Sequence, residues 1–179
     1  MSKVVIMGRP GVLYPKPKRE EDFDEYKFYK DVPENLTILG NMEFAIAIVG
    51  NSRNDESGAS YRGAFDRVTE GIYHYSPSLV IISTCYHGSD GCECRLPKPK
   101  MIKQVFDEYE FDIDESFMIA GYPSDFTAAN DAGIKNIIIL TTGYKKWNDA
   151  MESEAIAKVP SFSKAIGIIH EYMSIALSL

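Results

Sequence analysis

The chain has 179 residues, 45% of them hydrophobic and 25% charged, which suits one domain able to bury a core without disulfide staples. Its net charge of −7 excludes a broad phosphate-neutralising surface, so neither nucleic acid nor an anionic membrane is an expected partner. No apolar run reaches the ~20 residues of a membrane span, the apolar part of "MSKVVIMGRP" is too short for a signal peptide, and an odd number of cysteines fits a reducing cytoplasm.

In chain order, "KVVIM" (Lys3–Met7) reads as a buried first strand ending at Gly8. Residues 9–35, rich in Pro and charge and without a clear period, read as an irregular excursion. "LTIL" and "FAIAIVG" are two further strand candidates, with "GNME" between them. "SGASYRGAFDRVTEGIYHY" places Tyr61, Phe65, Val68 and Ile72 near helical spacing, and "SLVIIST" is the next strand. "PKMIKQVFDEYEF" is helical, "SFMIAG" a strand, and "SDFTAANDAG" a short helix capped by Ser124 or Asp125 and stopped by Gly133. "KNIIILTTG" is a strand and "FSKAIGIIHEYMSIAL" a closing helix. From residue 44 onward strands and helices alternate, and the strands are continuous apolar runs. That pattern predicts an α/β domain over 1–179: a Rossmann-like parallel sheet with helices on both faces.

All three cysteines fall within residues 85–94, "CYHGSDGCEC". Cys85, His87, Cys92 and Cys94 form C-x-H-x4-C-x-C, four soft-to-borderline ligands of the kind zinc takes in a tetrahedron. Free cysteines are often core residues. This stretch, however, is polar, follows a strand end, and carries Gly88 and Gly91 to let the backbone turn back. Four protein ligands leave no open coordination position, so a zinc held here is structural.

The chain then continues "CECRLPKPKMIKQVF" and "ESFMIAGYPSDFTAANDAGIKNIIILTTGY". Over Leu79–Tyr144 it resembles the haloacid dehalogenase (HAD) superfamily, and within it the branch of heptose-bisphosphate phosphatases and histidinol-phosphatases. The resemblance implies a Rossmann-like fold with its site at the carboxyl ends of the strands. It also implies an aspartate nucleophile, a second aspartate as general acid and base, a Thr or Ser and a Lys holding phosphate, and magnesium.

Laid on this chain, those roles are empty. The two strand-end aspartates fall on Gly8 and Pro10, the phosphate-holding Thr on Gly50, the Lys on Leu96, and a metal-holding Asp on Tyr122. A covalent route without a nucleophile cannot form its intermediate. Asp125 remains, but alone it is a poor magnesium cage, so magnesium is not expected. "DFDE" at Asp22–Glu25 has a D-x-D spacing, yet it lies in a charged stretch rather than at a strand end. Ser52 and Ser83 lack a histidine partner, and His74 and His170 read as packing or surface residues. The main expectation is therefore a zinc-containing, phosphatase-like protein that is not an enzyme, binding a protein partner or a phosphorylated small molecule. The alternative is an active sugar-phosphate phosphatase with rearranged groups. An anion site of Arg9, Asn51, Arg95 and Lys98 is expected if the cleft is open. If Pro10 and Tyr122 fill it, Arg95 and Lys98 belong to the surface.

Overall fold

The computed structural model describes residues 3–16, 27–52, 59–87 and 91–176, without the side chains of 59–66 and 176. The first strand, β1 (Val4–Met7), leads through a turn at residues 11–13 to α1 (Val32–Asn41) and β2 (Ala45–Asn51). Next come α2 (Ala59–Tyr75), β3 (Val80–Cys85), α3 (Lys100–Tyr109), β4 (Phe117–Ala120) and α4 (Pro123–Ala132). The chain ends with β5 (Asn136–Leu140), α5 (Asp149–Glu154), β6 (Ala157–Val159) and α6 (Phe162–Ala176). The strands lie in the order β3-β2-β1-β4-β5-β6, and every neighbouring pair is parallel.

The continuous apolar strands explain the layering. Successive side chains point to opposite faces, so Val5 and Met7 of β1 join a core with α1, α2 and α6, while Val4 and Ile6 join one with α3 and α4. Phe117 and Ile119 against Met118 and Ala120 repeat this division on β4. With both faces covered, no strand position in the sheet's centre can be polar without loss. All carboxyl ends then point to one edge, where β1, β2 and β4 deliver their loops.

Three expectations need correction. "LTIL" is not a strand: Leu36 and Leu39 lie in α1, and with Val32 they form a buried i, i+4, i+7 stripe while Ile38 is exposed. Four apolar residues cannot distinguish helix from strand, and the helical period shows only when Val32 is included. This helix, α1, begins inside the 9–35 stretch read as irregular. The cap of α4 is also displaced: Tyr122 is the N-cap and Asp125 sits in the first turn. Finally, α5 and β6 lie in a stretch for which no element was expected. The Tyr61 and Phe65 side chains and the Asp22–Glu25 stretch lie outside what the structure describes. Among the described residues no helix is long and apolar enough to cross a membrane.

Candidate functional site

Two groups of polar side chains gather at the carboxyl edge of the sheet. The first is the cysteine–histidine cluster. Cys85 is the last residue of β3 and is fixed by the sheet, since the Ser52 N–H donates to its carbonyl at 2.8 Å. From there the chain loops back with Gly91 in the left-handed region at φ +78°, a conformation that favours glycine. This brings Cys85 Sγ to 3.5 Å from Cys92 Sγ and 3.7 Å from His87 Nδ1. His87 Nδ1 lies 3.2 Å from both Cys92 Sγ and Cys94 Sγ, and those two sulfurs are 2.9 Å apart. All four ligand atoms fall within 4.8 Å of one another. A tetrahedron with metal–sulfur distances near 2.3 Å has edges of about 3.8 Å, so the donor set has the size and chemistry to hold a metal ion. Hydrogen bonding from Cys94 pulls the Cys92 thiol down to about 6, while Cys94, facing it, is pushed up to about 12.

Asn51, at the end of β2, ties this loop to the sheet from both ends of its amide. Its Nδ2 donates to the Leu96 carbonyl at 3.1 Å, and its Oδ1 accepts from the Leu96 N–H at 2.9 Å. Arg95 Nη1 donates to the His87 carbonyl at 3.1 Å, and Lys98 pairs with Glu93 at 2.7 Å.

The second group forms a cleft of about 240 Å³ lined by Arg9, Lys16, Asn51, Tyr122, Ser124 and Asp125, with Pro10, Gly50 and Leu96 among its walls. Close loop contacts support the Tyr122 side of it. Gly11, at φ +80°, lies so near Gly143 that a Cβ on it would fall 2.8 Å from the Gly143 Cα. Thr142 Oγ1 donates to the Gly11 carbonyl, and the Tyr144 N–H donates to Gly121 at 3.1 Å. Asp125 is buried next to Gly121. Its Oδ2 accepts from the N–H groups of Gly121 and Tyr122, both at 3.0 Å. Burial pushes its carboxyl up to about 7 against the opposing pull of those two donors.

Of the four residues expected to form an anion site, the cleft brings Arg9 and Asn51 together, but the Asn51 amide is committed to Leu96. Arg95 and Lys98 do not line the cleft and serve the cysteine loop. Lys16 is the cation that sequence reasoning missed, because "YPKPK" sits in a stretch without periodicity and nothing local aims it. Its Nζ stands 5.8 Å from the Tyr122 ring centroid. Pro10 and Tyr122 occupy walls of the cleft without closing it. Ser83 lines a separate groove along β3, and His74 and His170 are exposed.

No protein-family model matches the chain. It is 27% identical to the D-glycero-beta-D-manno-heptose-1,7-bisphosphate 7-phosphatase of Pasteurella multocida, over 93% of this chain and 99% of that protein. It is 26% identical to the histidine biosynthesis bifunctional protein HisB of Campylobacter jejuni, over 90% of this chain but 47% of that longer protein. Among solved structures it superposes on the D,D-heptose 1,7-bisphosphate phosphatase from B. bronchiseptica complexed with magnesium and phosphate. That match has a TM-score of 0.76 at 18% identity, covering 96% of this chain and 99% of the other.

Proposed function

We propose that this chain, a member of the HAD superfamily in its heptose-bisphosphate phosphatase and HisB-like branch, takes a phosphorylated small molecule of the sugar-phosphate type into the strand-end cleft. The ligand class follows the relatives, named for a heptose bisphosphate. The retention of that ligand without covalent phosphoryl transfer rests on one observation. A Cβ at position 8 would lie 2.6 Å from Asp125 Oδ2, so the Asp125 carboxylate fills the space in which a side chain at the end of β1 would stand. Gly8 supplies no nucleophile, without which a phosphoryl-enzyme intermediate cannot form, and Pro10 supplies no proton to assist the leaving group.

The donor sets of the two regions suit different ions. The cluster of Cys85, His87, Cys92 and Cys94 fits zinc, which would fix the loop and present no open position to a ligand. It would act through Leu96 and Asn51 to hold one wall of the cleft in place. Magnesium, which demands several hard oxygens, is poorly matched to the cleft. Among the described lining residues Asp125 is the one carboxylate, and its Oδ2 already accepts two backbone N–H groups.

The relatives favour a second reading, hydrolysis of the same class of ligand by rearranged groups. Its support in the cleft is Asp125, whose carboxyl, raised to about 7, is tuned for proton transfer near neutrality. The two readings separate in a paired measurement. Heptose bisphosphate, hexose phosphates and a chromogenic phosphate ester are titrated calorimetrically and assayed for phosphate release with magnesium. Saturable binding without release is expected. Release abolished by Asp125→Asn would establish the second reading. Neither binding nor release would put the function outside the cleft.

A further inference from the structure

The two edges of the sheet are built differently. β6 is three residues long, carries Lys158 and is followed by Pro160, and a short, charged, proline-flanked edge resists pairing with another chain. β3, at the opposite edge, runs six residues without a charge, a proline or a glycine. Among the described residues it pairs with β2 alone. The Ile46 N–H donates to the Leu79 carbonyl and the Ser52 N–H to the Cys85 carbonyl, both at 2.8 Å. Backbone groups alternate in direction along a strand, so Ile81, Ser83 and Cys85 turn theirs toward β2, and Val80, Ile82 and Thr84 turn theirs outward. This outer edge lies in a groove of about 490 Å³ between α2 and α3, flanked by Tyr73 and Tyr109, which are 55% and 40% exposed. On the α3 wall Gln104 and Glu108 line the groove, and Lys100 stands one turn before Gln104. All three are exposed at i, i+4 and i+8, a stripe with a cation at one end, an acid at the other and a neutral amide between them.

We infer that the β3 edge is a dimerisation surface, on which a second copy of this chain pairs antiparallel through β3 about a two-fold axis at Ile82. Ile82 then exchanges both backbone hydrogen bonds with Ile82 of the second copy, and Val80 does so with Thr84 in each direction, so every outward N–H and C=O group of β3 gains a partner. The same axis reverses α3 against α3 of the second copy. Lys100 of each chain then faces Glu108 of the other, and Gln104 faces its own counterpart. This match selects a second copy over an unrelated strand, because the backbone edge and the charge stripe are complementary to themselves under one two-fold operation. The reversal also sends the two carboxyl edges in opposite directions, so the two clefts stay apart.

The test is sedimentation velocity of the full chain, purified with zinc, across a range of about 1 µM to several hundred µM, since one strand edge with two helix flanks makes a small interface of micromolar class. The mass should rise from that of one chain to that of two. Glu108→Lys and Lys100→Glu each set two like-charge pairs across the axis and should weaken the dimer by about tenfold. The double variant restores opposite charges and should recover most of the affinity. All three variants keep the fold, because an acid at the start of α3 and a base near its end suit the helix dipole, and a melting curve verifies it. Amide exchange gives an independent readout: the Ile82 and Thr84 N–H groups should slow as concentration rises, while the inward Ser83 N–H is slow throughout. A single-chain mass at every concentration overturns the dimer and leaves the edge to an extended segment of another protein. A dimer unmoved by either reversal, or not recovered in the double variant, uses another face and overturns this one. Ile82 and Thr84 amides already slow at the lowest concentration would mean that the chain covers its own edge, and would overturn the proposal as well.

Discussion

Four ligand atoms converge at the carboxyl end of β3 from ten consecutive residues, whereas the cleft at the ends of β1 and β2 draws its groups from positions as far apart as Arg9 and Asp125. The first arrangement is local. Its spacing alone nearly dictates its geometry, and each ligand can be judged by residue type. The second is assembled by the sheet, and each residue makes sense only beside its spatial neighbour: Gly8 with the Asp125 carboxylate, Gly50 with the Arg9 guanidinium. The contrast teaches that an absence in sequence can be a presence in space. The two glycines, read along the chain, are missing catalytic groups. In the fold they are the room that two charged side chains occupy.

The largest effect should come from the local region. Metal binding is coupled to folding wherever the unfolded chain lacks the site. The purified protein should carry about one zinc per chain by elemental analysis, and Cys92→Ala should lower the melting temperature by on the order of 10 °C. Under a tenth of an equivalent of zinc, with thiols freely reactive, would remove the distinction between the regions.

The next effect concerns Asp125 and pH. Its carboxyl is raised from an ordinary value of 3.8 to about 7 by burial. A carboxyl that binds its proton more tightly when folded stabilises the fold at low pH and loses that contribution as pH rises from about 4 through about 7. Relative to Asp125→Asn, the wild-type protein should therefore melt higher at pH 5 than at pH 8, by an amount worth up to a few kcal/mol. Parallel pH profiles in the two proteins would mean the carboxylate is solvated and does not fill the space at Gly8.

Two glycine variants sharpen the comparison within the cleft. Gly8→Ala forces a methyl to 2.6 Å from the short, doubly hydrogen-bonded Asp125 carboxylate, and overpacking of this kind costs about 1–3 kcal/mol. Gly50→Ala meets only the end of a long side chain and should cost less. Chemical denaturation of both variants checks the order, and equal costs would show that neither glycine is matched to its charged neighbour.

The smallest effect belongs to Lys98. Its partner Glu93 is exposed and pairs with it at 2.7 Å on the cysteine loop. Lys98→Ala should leave phosphate affinity in the calorimeter unchanged, because the residue lies outside the cleft. A clear loss would join the two regions into one site and restore the four-residue anion site expected from sequence.

What could be read along the chain was whatever short-range pattern fixes. Continuous apolar runs announced a parallel sheet, because strands covered on both faces leave no polar alternation. Four metal-type ligands within ten residues announced a cluster, because the loop between them is too short to scatter them. The same logic explains the failures. "LTIL" reads as a strand over four residues and as a helix over eight, and its packing against α6 and the sheet chose the second. Lys16 has no local signal at all. Arg95 and Lys98, placed by sequence beside a phosphate, were captured instead by the His87 carbonyl and by Glu93 a few residues away. The pairing of Gly8 with Asp125 spans more than a hundred residues. It exists because β1 and β4 are neighbours in the sheet, so their loops meet, and no periodicity within either segment encodes that meeting.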